Sequence, residues 1–157
     1  MDFSFGIPVN MADDSVTSAA LGVNAAGALT DKDIGKAVKL IGDSRYGVCA
    51  DGDDIEGVLA AVAPHTVNSG YGFGSVQTKE RIIAVNSGAG AIAVGAFVVA
   101  AAQPAVGTEI ALVTTGAQTG TRPMPVKAGA GVSFKWRVVA LLGGAGAVGA
   151  PLLIERV

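Results

Sequence analysis

Groups that carry out chemistry are scarce in this chain. Of its 157 residues only 15% are charged and 5% aromatic, and there is one cysteine and one histidine. One cysteine excludes an internal disulfide, and one cysteine with one histidine excludes a zinc ribbon or a three-histidine zinc site. Cys49 lies in the apolar run Tyr46-Gly47-Val48-Cys49-Ala50, the setting of a buried small hydrophobe and not of a reactive thiol. His65 follows Pro64 with no Gly-x-Ser-x-Gly elbow in the sequence, so a loop histidine is expected in place of a catalytic one. No catalytic residue, cofactor or metal is expected.

Strong charge of either sign is also missing. The formal net charge is −2, which gives no basic field for nucleic acid. Its distribution is uneven: residues 1–78 hold 4 bases and 10 acids, residues 79–157 hold 7 bases and 3 acids. Such asymmetry either cancels within one fold or orients head-to-tail contacts between copies. The uncharged span Ile82 to Thr108 has the length of a membrane helix, but Asn86-Ser87-Gly88, Gly95 and Pro104 interrupt it, so buried strands are expected there. The start, MDFSFGIPVNMADD, has no basic region followed by an apolar one, so synthesis and folding in a cytoplasm are expected.

What the chain does have is glycine, 23 residues of it, and short runs of β-formers. Ala37–Ile41, Arg45–Ala50, Glu56–Ala63, Arg81–Val85, Ala96–Ala101, Glu109–Thr114, Val132–Leu142 and Pro151–Val157 read as strands bounded by turn residues. In Val132–Leu142, Phe134, Trp136 and Val138 alternate with Lys135 and Arg137, giving one apolar and one basic face. Thr30 can cap a short helical turn, and Thr115–Pro125 reads as an exposed loop. The expected fold is mainly β, a small barrel or sandwich-like domain of eight to ten short strands over residues 28–157. Residues 1–27 read as an extended N-terminal arm, with Phe3, Phe5, Ile7 and Val9 alternating against Ser4, Gly6 and Pro8.

Three patterns have a chemical reading and a plainer one. Gly144-Ala145-Gly146-Ala147-Val148-Gly149 matches a dinucleotide fingerprint, but Pro151 follows at once and no second strand with an acid can come after it. Asp51, Asp53, Asp54 and Glu56 lack the spacing of a calcium loop, and read as a solvated hairpin turn. Tyr71, Phe73 and Trp136 could form a platform for a sugar or a single strand of nucleic acid, although scarce aromatics more often anchor cores and interfaces.

The series KAVKLIG, ADGDDIEGVLAAV, GYGFGSVQTKERIIAVNSGAG, AVGAFVVAA and GTEIALV resembles the small cement, or decoration, proteins of tailed bacteriophage capsids. The resemblance covers about half to two-thirds of the chain and leaves 1–27, Thr115–Pro125 and Val132–Val157 unmatched. It implies a β-rich virion protein that oligomerises, often as a homotrimer, on the outer capsid surface. There it clamps neighbouring major capsid proteins with a terminal arm and loops. On this reading the protein is not an enzyme and binds neither nucleic acid nor membrane. Phe3, Phe5 and Ile7 anchor the arm, and Tyr71, Phe73 and Trp136 contact other subunits or the capsid. The different-class alternative is a carbohydrate- or ligand-binding β module of a phage fibre or adhesin. A weaker one is an enzyme assembled at a subunit interface around His65.

Overall fold

Runs of small and β-branched residues between glycines become strands throughout. The computed structural model describes residues 16–23, 29–42, 45–63, 71–79, 81–114 and 116–157. Its ten strands are β1 (Val16–Val23), β2 (Ala37–Gly42), β3 (Arg45–Val48), β4 (Gly57–Val62), β5 (Tyr71–Gln77), β6 (Arg81–Asn86), β7 (Phe97–Ala100), β8 (Met124–Ala128), β9 (Trp136–Leu141) and β10 (Pro151–Arg156). The only helical elements among the described residues are two single turns, Asp31–Asp33 and Gly144–Gly146. The fold is therefore mainly β, as the composition implies.

The strands close two five-membered rings, in the order β1-β3-β2-β4-β5 and β6-β8-β7-β9-β10. The stretch 28–157, expected as one simple domain, thus contributes to two barrels, and the first of them needs residues from the expected arm. Val16–Val23 is β1, which pairs antiparallel with β5 and touches β3. Residues 1–15, with Phe3, Phe5 and Ile7, lie outside the described residues.

The second barrel repeats the first, register for register. In each, the first strand runs parallel to the third and every other pairing is antiparallel. Ala37 and Val38 face Val58 and Gly57 in the first barrel; Phe97 and Val98 face Arg137 and Trp136 in the second. The bulge that skips Ala60 between β4 and β5 recurs at Val139 between β9 and β10. Gly35 N–H donates to Leu59 O at 2.8 Å, as Gly95 N–H does to Val138 O at 2.8 Å. Both glycines hold φ near +90° (91° and 85°), a conformation that costs a side-chain-bearing residue. The repeat is one of backbone, because equivalent positions carry different residues: Gly57 matches Trp136, and Lys36 matches Ala96.

The larger of two apolar clusters is shared between the barrels. One apolar cluster joins Ala84, Ile92, Val98, Met124, Val126, Trp136, Val138, Leu152 and Ile154 of the second barrel to Ala37, Cys49, Ile55 and Val58 of the first. A smaller cluster, Leu29, Val38, Tyr46, Leu59 and Val76, fills the first barrel. Burying apolar area scales poorly in chains of about 60 residues, so sharing one core gives each barrel a shielded face it could not make itself.

Three expected elements differ. Glu109–Thr114 is extended but joins no ladder. The strand expected over Val132–Leu142 begins only at Trp136, because the Val132 and Ser133 N–H groups donate to the Asp54 carboxylate instead. The loop expected to end at Pro125 gives way at Met124 to β8. Pro125 has no N–H to leave unpaired, and its carbonyl accepts from Ala101 N–H and Gln103 Nε2.

Trp136 is also placed differently from its expected role. Its side chain is 0% exposed, and its indole N–H donates to Ile55 O at 2.8 Å, so it offers no surface to a partner. The alternation that made it apolar against Lys135 and Arg137 points it into the core. Trp136→Ala is expected to cost about 3–5 kcal/mol in urea unfolding. Val132→Ala, at a 90% exposed position, should change stability by less than about 0.5 kcal/mol.

Candidate interaction surfaces

The acidic segment after β3 fastens one barrel to the other. Gly52 N–H donates to Ala100 O at 2.9 Å and Ala100 N–H donates to Asp53 O at 3.0 Å, so this segment extends the sheet beside the end of β7. Asp51 meets Lys127 at 2.6 Å, and Arg156 donates to the Glu56 carbonyl at 3.1 Å. Asp54 takes the N–H groups of Val132 and Ser133. Asp53 holds Lys39 and the Ala50 N–H, each at 2.6 Å. Glu56 accepts from the Tyr46 hydroxyl at 2.8 Å and from Leu40 N–H at 2.9 Å. The expected solvated turn is thus an inter-barrel joint. Its carboxylates are committed to protein donors, and no group of three metal-ligating side chains occurs among the described residues.

A second joint runs the other way. Residues 101–123, between β7 and β8, cross to the turn at Asp31–Asp33. There Lys36 and Asp33, both 0% exposed, pair at 2.6 Å. The Lys36 ammonium also donates to the carbonyls of Pro104 (3.0 Å) and Ala105 (2.8 Å). Asp33 accepts from Gly107 N–H at 2.8 Å and from the Thr30 N–H and hydroxyl at 2.7 and 2.9 Å. All three ammonium protons have acceptors, which is the condition under which a buried pair is tolerated. Thr30 thus sits at the start of its turn, as its sequence position implies.

These contacts set the titration behaviour. Burial pushes the Asp33 carboxyl up, but Lys36 and the Thr30 and Gly107 donors outweigh it and hold the group below its ordinary 3.8. Lys39 and the Ala50 N–H lower Asp53; the Ser133 N–H, with those of Val132 and Phe134, lowers Asp54. Burial, with Asp53 nearby, raises the Cys49 thiol from 9.0 to about 12. Burial and the Glu56 carboxylate raise Tyr46 from 10.0 to about 12. Cys49 is therefore a protonated, buried thiol, as its apolar run implies.

The Gly144–Gly149 run is structural. A Cβ on Gly146 would lie 1.9 Å from Ile92 O, and Gly146 O accepts both Ile92 N–H and the Asn86 amide. This glycine permits close packing and forms no phosphate loop.

Of the residues expected to make contacts, Tyr71 and Phe73 have their backbones in β5, with side chains outside the described set. His65 also lies outside it. Trp136, in the core, takes no part in an exposed aromatic platform. What the sequence did not single out is a set of exposed apolar residues, among them Leu40, Ile41, Val94, Phe97, Leu112, Val132 and Val148. Leu112 borders an open groove of about 560 Å³ whose lining, including Val85, Gln103, Ile110, Pro123 and Pro125, carries no charged side chain. In the adjoining extended segment, Val113 bonds to Thr121 and Gly120, whereas the Leu112 N–H and C=O have no backbone partner among the described residues. An extended, half-apolar segment with an open edge is a place where another chain can add a strand. The signal for it was the strand-like pattern of Glu109–Thr114.

Comparison with protein-family models, with curated proteins and with solved structures finds no match.

The joint titrates with a definite sign. Carboxyls lowered on folding stabilise above their ordinary range, and that contribution is lost as pH falls through it; groups raised on folding stabilise below their ordinary values, and theirs is lost as pH rises. Urea midpoints should therefore be level from about pH 5 to 9, fall below about pH 4 through Asp33, Asp53 and Asp54, and fall again above about pH 9 through Cys49 and Tyr46. Loss of the acid limb in the Asp54→Asn variant relative to its own pH 7 value would assign that share to Asp54.

Proposed function

We propose that this chain is a capsid decoration protein of a tailed bacteriophage, a non-enzymatic component made in the host bacterial cytoplasm and bound to the outside of the assembled head. Its partner is the major capsid protein, and its working form is a homo-oligomer, a homotrimer on the family resemblance. The observation that carries this reading is the exposed apolar surface, spread over both barrels and culminating in the 90% exposed Val132. Isolated exposed apolar residues are ordinary, but a chain this poor in charge with ten large ones exposed among its described residues suits a molecule selected for contact area. The two joints support it further: a clamp that resists a pressurised shell must not flex between its halves.

The groove beside Leu112 and its open backbone edge suit an extended segment of capsid protein, which would add hydrogen bonds and fill an uncharged trough. The N-terminal residues, with Phe3, Phe5 and Ile7 as anchors and Tyr71 and Phe73 as further contacts, complete the proposed set. Trp136 is not among them.

Deleting residues 1–14, which leaves all of β1, should give a folded protein of unchanged oligomeric mass that co-sediments with undecorated shells at least about tenfold more weakly. Equal occupancy by the truncated and full chains would remove the arm from the proposal. Failure of the full chain to bind any shell lacking it would remove the proposal itself.

A further inference from the structure

The register equivalence of the two barrels shows which surfaces are covered in one barrel and exposed in the other. Counting back from the equivalent pair Gly57 and Trp136, the joint residues Gly52, Asp53, Asp54, Ile55 and Glu56 correspond to Gly131, Val132, Ser133, Phe134 and Lys135 of the second barrel. The seat for that loop on β7, Ala100, and its neighbour Ala101 correspond to Leu40 and Ile41 at the end of β2. Within the chain the seat is closed: Ala100 and Ala101 are 0% and 2% exposed and Ile55 is 1% exposed. The equivalent seat is open, and the equivalent loop, held to Asp54 through its Val132 and Ser133 N–H groups, leaves its Val132 and Lys135 side chains exposed. Leu40 and Ile41 are 49% and 55% exposed, and Val132 is 90% exposed. The residues at the open seat are also larger and more apolar than the alanines of the closed one.

We propose that the loop 131–135 of one copy seats against Leu40 and Ile41 of a second copy, repeating between chains the joint that fastens the barrels within one. Val132 supplies the apolar contact. The end of β2 supplies the backbone edge, since Leu40 N–H donates to the Glu56 side chain, which an incoming carbonyl displaces as Asp53 O occupies Ala100 N–H. Charge agrees: the half of the chain holding the loop has 7 bases and 3 acids, and the half holding the seat has 4 bases and 10 acids. Exposed Lys135 of the loop then approaches the Glu56 carboxylate of the seat, which still accepts from the Tyr46 hydroxyl. The contact joins two different patches, so it is head-to-tail, and it closes into a ring or grows into a filament according to its rotation. It concerns contacts between copies only and stands independently of any shell.

The test is the mass of the full chain in solution by sedimentation velocity, for wild type, Val132→Glu, Ile41→Glu and an equimolar mixture of the two variants. The wild type should exceed the 15.5 kDa of one chain. Each variant should associate at least about tenfold more weakly. The mixture should form a species of two chains and no larger one, because only one intact loop and one intact seat can meet. Both sites are exposed, and an unchanged near-UV signal from Trp136 shows that a variant has kept its fold; Val132→Lys and Leu40→Glu replace any that has not. A monomeric wild type at high concentration, variants of wild-type mass, or a mixture that stays monomeric each overturns the proposal.

Discussion

Lys36 and Asp33 sit where no water reaches them, and the ammonium is satisfied by two carbonyls that belong to the other barrel. A charge in that position is tolerable only while Pro104 and Ala105 stay where they are, since an unpaired buried ion costs several kcal/mol. The connection between β7 and β8 is therefore pinned to the first barrel. The acidic segment after β3 is pinned to the second by the Gly52–Ala100–Asp53 backbone exchange and the Asp54 cap. Two reciprocal straps thus cross one seam. The apolar cluster around Trp136 lies beneath them and draws on both barrels. Polar contacts fix the orientation of the halves, and apolar burial supplies most of the driving force.

Such a body has consequences for its surface. The joint covers the seat at Ala100 and Ala101 and leaves its counterpart, Leu40 and Ile41, exposed, with the Val132 side chain exposed beside the Asp54 cap. A protein organised in this way presents exposed apolar side chains at strand ends and loops.

Much of the fold was legible in the sequence. Strand-forming runs between glycines located β2, β4, β6, β7 and β10 within a residue or two, and Thr30 marked its turn. β8 was hidden by Pro123 and Pro125, which read as loop although Pro125 sits in a strand without needing its missing N–H. The repeat was illegible because strand register conserves backbone geometry and not side chains. Lys127 stands where Gly47 does, and loops of unequal length, two residues between β2 and β3 against 23 between β7 and β8, break any fixed period. Alternation correctly gave Trp136 an apolar face, but not that the face turned inward. The acids at 51–56 looked like a solvated turn because their partners, at Ala100, Lys127 and Val132, are distant in sequence.

The claim on which the account rests is that both barrels move as one body. Backbone hydrogen exchange measures this directly. The amides of Gly52, Ala100 and Ser133 at the seam should exchange only through global unfolding, with the same free energy as core amides such as those of Val126 and Ile154. Seam amides that exchange through a far cheaper local opening, while both barrels' ladders stay protected, would contradict it.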